Sequence, residues 1–450
     1  MNTFIYAVCI FSVLFSQKTY TEADAIHYAL QHNLSLKRAT LKLDFLNKEI
    51  WQGYLTYLPT VTFNHSFVKF SDSNLELMKA QIDGFKFLLK NAEYKDPNFS
   101  ATAEQIADAI PNTAFKTVNR TNLTAEWMLF QNGAALNWLT HKQTETKIED
   151  EHLVELKKEV TLNVRNAFFD LVIAEKALKL HQKRLETTQE RLEQVRRLFE
   201  KGLRSKSETL RWKLQVSQIE ETLIDAKNQV ALSQMNLNFV LGAPVLEDVS
   251  TSVPDVELGR FSNLTHDRIQ SVNIEGVSLT KQAMLQYEQT ETSKFLSYGK
   301  FLPSINARYV KQWQQHESMF ETPDTWEASL NFSWNLFNGG KDIIEVQKSE
   351  ITRYSSELQL EEVKRRTTLS LHQSFSALQK SRKQLETAEH SYQLARDTYE
   401  STKNRYDKGL TTNIEYLEAE NALFEAEMNR ILIYKSYLNA GFNLQHLIED

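Results

Sequence analysis

Four stretches of the chain alternate apolar and polar residues with a period of two, while most of the remainder repeats its apolar positions every three to four residues. The clearest alternation is Thr325–Leu336, where Trp326, Ala328, Leu330, Phe332, Trp334 and Leu336 interleave with Thr325, Glu327, Ser329, Asn331, Ser333 and Asn335. Residues 60–72, 113–130 and 304–316 fit the same template. In the second of these, Leu123, Ala125, Trp127 and Leu129 share one side. After the second and after the fourth of these stretches lie two windows without a single Gly or Pro, Ala134–Lys201 and Lys341–Lys408, both rich in strong helix formers. Each predicts a continuous helix about 100 Å long. Shorter helical windows flank them at about 22–56, 205–241, 266–299 and 412–448.

The pattern occurs twice. A shift of 207 residues lays Leu129-Phe130-Gln131-Asn132-Gly133 on Leu336-Phe337-Asn338-Gly339-Gly340, and Phe199-Glu200-Lys201-Gly202-Leu203 on Tyr406-Asp407-Lys408-Gly409-Leu410. It also lays Trp127 on Trp334. Upstream, Tyr57-Leu58-Pro59-Thr60 matches Phe301-Leu302-Pro303-Ser304 at an offset of 244, so the first half carries about 37 extra residues between its two strands. Such self-similarity fixes the architecture before any motif does. The chain divides into a signal segment at about 1–20, repeat one at 21–244 and repeat two at 245–450. Each half reads helix, Leu-Pro, strand, strand, Leu-Phe-x-x-Gly, long helix, Lys-Gly-Leu turn, helix.

Alternating segments of this length with aromatics near their ends are the signature of outer-membrane barrel strands. Four strands cannot close a barrel, and in lipid every strand edge must be paired. Several copies must therefore share one barrel. Two copies give eight strands, a barrel that side chains fill. Three give twelve and leave a channel, which suits the polar face of Thr325–Asn335, so a trimer is expected. Trp127, Trp326 and Trp334 are placed as an aromatic girdle would be.

Composition narrows the classes. With 24% charged residues and a net charge of −6 there is no electrostatic case for nucleic acid. A mean hydropathy of −0.45 excludes a bundle of membrane helices. Phe4–Phe15 is an apolar run of export-signal length, too short to span, although its N-terminal flank has no Lys or Arg. The single cysteine, Cys9, falls inside that run, so the processed chain would hold no thiol. No metal-ligand, nucleotide-cradle or catalytic-triad pattern is present, and neither a cofactor nor an enzymatic activity is expected. The rival reading is a soluble structural coiled-coil protein, compatible with the heptad-like charge of LETTQERLEQVRRLFE but not with four barrel-type strands.

Taken together, the signal-like start, the two-fold repeat, both Leu-Phe-x-x-Gly junctions, both Lys-Gly-Leu turns and the Leu-Gly-Ala-Pro at 241–244 make the sequence similar to the TolC-like outer membrane factors. Those are exit ducts of Gram-negative efflux pumps and type I secretion systems. The resemblance implies a homotrimer whose twelve-stranded barrel sits in outer-membrane lipid and continues into an α-helical barrel across the periplasm. The turns at Gly202 and Gly409 would lie at its periplasmic tip, facing an adaptor (membrane fusion) protein and an inner-membrane pump. The 37-residue insertion would fall in an extracellular loop.

At the tip, Glu415 and Glu418 match positions where family ducts narrow with acidic rings, and their i, i+3 spacing puts them on one helix face. Thr412-x-x-Glu415 also has the form of a capping box, as does Ser205-x-x-Glu208. Family members with a latched tip carry an Arg two residues past the second turn's glycine. Here that position is Thr411, while Tyr406 and Glu208 match the latch partners. Arg204, Lys206 and Arg211 on the first turn are the basic residues available for another tie. Gly202, Leu203 and Ser205, with Gly409, Leu410 and Thr412, are the candidate adaptor contacts.

Overall fold

A computed structural model describes residues 18–91, 102–110, 114, 116–252, 260–316 and 324–448. The apolar run at 4–15 and Cys9 lie outside the described residues. In chain order the elements are β1 (Lys18–Tyr20), α1 (Glu22–His32), α2 (Leu34–Leu55), β2 (Thr60–Lys69), α3 (Asp72–Lys90), α4 (Ala103–Ala109), β3 (Thr117–Gln131), α5 (Ala134–Glu200), α6 (Lys206–Leu241), β4 (Val249–Thr251), α7 (His266–Gln270), α8 (Ser278–Gly299), β5 (Ser304–His316), β6 (Thr325–Ser333), α9 (Lys341–Asp407) and α10 (Asn413–Ile448).

Both Gly- and Pro-free windows are single helices of 67 residues, each followed by a helix of 36. The expected helix at 22–56 is instead two helices. Asn33 interrupts it because its Oδ1 accepts from the N–H groups of Ser35 and Leu36, capping α2, while its Nδ2 donates to the carbonyl of Val240 at 3.0 Å. The expected helix at 266–299 is broken likewise, into α7, a 3₁₀ turn at Ile274–Gly276 and α8. Lys18–Tyr20, placed by the sequence at the end of the signal segment, form β1 and pair in parallel with β4.

The long helices run through two compact units, each drawing on both halves of the chain. One unit comprises Met1–Leu46, Thr144–Glu288 and Tyr354–Asp450. Its core gathers Phe168, Phe169, Leu171, Leu237, Phe261, Leu378, Tyr437, Leu438 and Phe442. The other comprises Asn47–Gln143 and Gln289–Arg353 and holds the sheet.

That sheet has the order β2-β3-β5-β6, antiparallel throughout. Its register places Val61, Ala125, Tyr309 and Ala328 in one row across the sheet, and Phe63, Leu123, Lys311 and Trp326 in the next row on the same face. Glu126, Arg308 and Ser329 form a row on the opposite face, where Arg308 Nε donates to Glu126 Oε1 at 3.1 Å. The period-two pattern is therefore realised as one apolar and one polar face. The apolar face is uncovered: Trp326, Leu330, Phe63 and Phe332 are all more than 60% exposed. Single-chain soluble proteins rarely leave so large an apolar surface open. Among the described residues, β2 and β6 each keep one unpaired edge.

Three strand limits differ from expectation. β2 stops at Lys69, because Ser71 caps α3 and turns the chain into a 19-residue helix inside the insertion. β3 begins at Thr117, and residues 113 and 115 lie outside the described residues. β6 stops at Ser333, so Trp334 and Leu336 lie beyond the strand although the alternation runs through them. Trp334 is used otherwise: its indole N–H donates to the carbonyl of Phe301 at 3.0 Å. Trp127 does the same in the first half, donating to the carbonyl of Tyr57 at 2.8 Å. Each indole thus ties the end of an outgoing strand to the Leu-Pro step of the incoming one. Trp326 stands toward the other end of β6 and stacks on Tyr309, with centroids 6.3 Å apart. Trp127→Phe and Trp334→Phe keep the ring but lose the donor. Each is expected to cost about 1 kcal/mol, read as a lower melting temperature with unchanged circular dichroism.

The strand-to-helix joints also share a backbone form. Asn132 and Gly133 have φ of 51° and 72°, and Gly339 and Gly340 have 58° and 79°. Two successive left-handed residues reverse the chain direction at no steric cost when glycine supplies them, and Asn is the side chain that best tolerates the remaining position.

Candidate functional site at the paired helix turns

The two long helices end in the same way. Gly202 and Gly409 adopt φ of 73° and 72°. Gly202 N–H bonds the carbonyl of Phe199 and Leu203 N–H that of Leu198; Gly409 and Leu410 bond Tyr406 and Arg405 likewise. This double bond pattern around a left-handed glycine closes the helix C-terminus and lets the chain return at once. On the return, Ser205 Oγ accepts from Glu208 N–H at 3.2 Å, and Thr412 Oγ1 accepts from Glu415 N–H at 3.3 Å. Both cap the next helix. The leucines between glycine and cap, Leu203 and Leu410, are 68% and 66% exposed, which leaves the two turns with uncovered apolar ends.

Glu415 and Glu418 are exposed, one turn apart on α10. Glu208 does not complete a capping box. Its carboxylate accepts from Arg204 Nη1 at 3.3 Å, and the Arg204 guanidinium sits 5.2 Å from the centre of the Tyr406 ring. Arg204, one of the basic residues of the first turn, thus stands between Glu208 and Tyr406. Thr411 is half-buried, and its Oγ1 has no hydrogen-bond partner among the described residues.

The turns meet around a cluster that sequence reasoning missed. Val195, Trp212, Tyr406 and Tyr416 form a small closed core, in which Trp212 and Tyr416 are fully buried. Tyr406 stacks on Tyr416 at 4.9 Å, and Trp212 meets Tyr416 at 5.9 Å. Tyr399 and Tyr416 share a hydrogen bond between their hydroxyls at 3.1 Å. Arg191 spans the helices: it bonds Asp407 at 3.3 Å and lies 5.4 Å from the Tyr416 ring centre. Burial, reinforced by the Tyr399 bond, pushes the Tyr416 phenol up. One to two turns further along α10, Asn421 accepts from both Arg184 and Gln215, and Arg184 stacks over Phe424 at 4.0 Å.

Relatives decide what kind of chain carries this site. The profile of a family described as outer membrane efflux protein matches residues 25–243 and 282–448. The chain belongs to the outer membrane efflux protein family. The alkaline protease secretion protein AprF of Pseudomonas aeruginosa is 21% identical over 307 residues, which span 66% of this chain and 63% of that relative. The Campylobacter jejuni CmeC outer membrane channel superposes with a TM-score of 0.74 at 15% identity, covering 95% of this chain and 85% of that one. The outer membrane protein VceC of Vibrio cholerae gives 0.70 at 14% identity, with 95% of each covered. The fold is therefore that of a TolC-like channel, mostly helical with a few strands. Among the described residues no helix is long and apolar enough to cross a membrane.

In this efflux-family chain the turn region also buries a carboxylate. Glu420 on α10 is 8% exposed. Burial pushes its pKa above the usual carboxylate range, against the pull of the nearby Arg184 and Arg191 guanidinium groups. Folding therefore favours the protonated form relative to the unfolded chain. The contribution to stability is therefore full below the unfolded carboxylate pKa and is lost as pH rises through the raised folded value. Glu420→Gln is expected to stabilise the fold at pH 7 and to flatten the fall in melting temperature between mildly acidic and neutral pH. An unchanged pH profile would contradict this.

Proposed function

We propose that this chain is the outer-membrane exit duct of a tripartite efflux pump or a type I secretion system, acting as a homotrimer. The observation that carries the reading is the four-stranded sheet with one uncovered apolar face and two open edges, in a chain of the outer membrane efflux protein family. Three copies joined edge to edge, β6 of one to β2 of the next, close twelve strands with no exposed edge. The apolar faces meet lipid and the polar faces, with Glu126 and Arg308, line water. The long helices then continue as a periplasmic tube, and the turns at Gly202 and Gly409 form its inner mouth. Both cargo routes stay within the proposal, since AprF is named for protease secretion and CmeC as an outer membrane channel.

At the mouth, Glu415 and Glu418 of three copies supply six carboxylates that favour cations. Leu203 and Leu410, flanked by Gly202, Ser205, Gly409 and Thr412, present the surface for a periplasmic adaptor, with an inner-membrane pump beyond it. A photo-crosslinking residue at Leu203 or Leu410 is expected to recover an adaptor from intact cells. Fractionation tests the whole reading: the chain should sediment with outer membrane and extract as a trimer. Recovery as a soluble coiled-coil protein would refute it.

A further inference from the structure

A lysine interrupts the apolar face of the sheet. Phe63, Leu123, Lys311 and Trp326 share one row on that face. His65, Thr121 and Trp313 form the next row, further from the strand-to-helix joints. Lys311 Nζ lies 5.0 Å from the centre of the Trp313 ring. Trp326, its direct partner across the ladder, stacks on Tyr309. Among the described residues Lys311 forms no ion pair, and Asp324, just ahead of β6, is not bonded to it. On the polar face, by contrast, Arg308 has the Glu126 carboxylate beside it.

The height of Lys311 on the sheet decides what can pair it. Trp334 follows Trp326 by eight residues, and its indole is tied to the Leu-Pro step at the joint end. Eight residues of extended chain span about 27 Å, and a tilt near 40° makes that roughly 20 Å of height. An outer-membrane barrel presents an apolar band about 25 Å tall between two aromatic girdles. Trp334 and Trp326 therefore stand near opposite borders of the band, and Lys311 stands at the border remote from the long helices. A lysine is costly in the middle of such a band and nearly neutral at its border. There the ammonium reaches the headgroups while its stem lies along the apolar surface between the indoles.

The neighbouring row adds a second donor. His65 Nδ1 and Thr121 Oγ1 share a hydrogen bond of 2.9 Å. In one tautomer the hydroxyl donates and His65 Nε2 keeps its N–H; in the other Nδ1 donates and the Thr121 O–H is left to give. Either way one donor of the pair remains. Thr121 is the diagonal neighbour of Lys311 across β3 and β5. Neither row contains a carboxylate. An ammonium beside a neutral donor fits a phosphate oxygen, and a hydrogen bond with charge on both partners is the strong kind.

We propose that Lys311, with the His65–Thr121 pair beside it, holds the phosphate of a lipid in the outer leaflet. Trp313 and Trp326 position the ammonium. The inference rests on the duct reading, which puts this face of the sheet in lipid.

The test uses the full-length trimer, extracted in detergent and stripped of lipid, with bound lipid read by native mass spectrometry. The probes are lipid A with both phosphates and the same lipid with them removed. The parent is expected to bind the phosphorylated form more tightly by about tenfold, the scale of one charge-assisted contact. Lys311→Gln should abolish that preference and leave the dephosphorylated form unaffected, while Lys311→Arg should keep it. Arg120→Gln removes a cation from the opposite face of the sheet and should change nothing. Inorganic phosphate at millimolar concentration should not displace the lipid. Should Lys311→Gln fail to assemble, Lys311→Met, which suits an apolar face, carries the same expectation. Equal binding of the two lipids by the parent, an unchanged preference in the Lys311 variant, an equal loss in Arg120→Gln, or displacement by inorganic phosphate would each overturn the inference. A parent chain that is not trimeric in the same spectra would refute the duct reading itself. A trimer that shows any of the other four results refutes only the lipid site.

Discussion

Replacing Phe442 by alanine will lower folding stability by about 3–5 kcal/mol, the range for a large aromatic removed from a closed core. Phe442 is fully buried on α10 and packs on Phe169 at 5.4 Å and edge-on against Phe261 at 5.5 Å. Two guanidinium groups lie against the same ring, Arg165 at 5.4 Å and Arg260 at 5.1 Å. Like-charged groups so close need a counter-ion, and Glu22 supplies it: Arg260 donates to Glu22 Oε1 at 2.7 Å, and Arg165 Nε is 3.3 Å from the same oxygen. The residue is therefore the floor of a clamp that joins α1, α5, α10 and the segment before α7. Alanine would leave a cavity under two cations that have lost their cation–π partner, each such contact being worth about 0.5–1 kcal/mol or more when desolvated. Phe442→Leu should cost much less, because it refills most of the volume. Denaturant titration of the detergent-solubilised protein separates the two variants. Equal midpoints for Phe442→Ala and wild type would mean the clamp does not hold the unit together.

That clamp was invisible in the sequence, and the reason is general. Glu22, Arg165, Arg260 and Phe442 are spread over most of the chain, and nothing in their local pattern distinguishes a buried arginine from a solvated one. By contrast, the two long helices and four strands were legible, because a Gly- and Pro-free window and a period-two alternation are local signals that the backbone obeys directly. Even so, the alternation overran β6. Trp334 keeps the period but leaves the ladder, because its indole has a better use on the carbonyl of Phe301. The break at Asn33 escapes the local pattern for the complementary reason: helix propensity runs through it, and one side chain that caps α2 and reaches Val240 stops the helix. At the turns, the glycines and caps were readable. The Trp212–Tyr416 core was not, since its rings come from opposite halves. One signal did point there. Arg204 and Thr411 occupy the same place in the two repeats, so an arginine missing from one turn was standing in the other.

Glu415→Ala combined with Glu418→Ala will weaken divalent-cation block of single-channel current by more than tenfold. Both side chains are exposed on one face of α10, and in the proposed trimer they bring six carboxylates to one narrow mouth. A carboxylate and a divalent ion a few ångströms apart attract by about 1–2 kcal/mol even at the dielectric constant of water. A tenfold change needs about 1.4 kcal/mol, less than several such attractions removed together. The competing account is that Glu415 serves only to start the helix. The geometry separates the two roles, because the capping bond joins Thr412 Oγ1 to the backbone N–H of Glu415 and makes no use of the Glu415 carboxylate. Alanine at 415 therefore keeps the cap. Thr412→Ala removes it at a cost of about 1 kcal/mol while leaving all six carboxylates in place. If the acidic ring sets the block, the glutamate variants will shift it with little change in melting temperature, and Thr412→Ala will lower the melting temperature with little change in block. Block that persists in the double glutamate variant would remove both residues from the pore and leave α10 with a solvated acidic face.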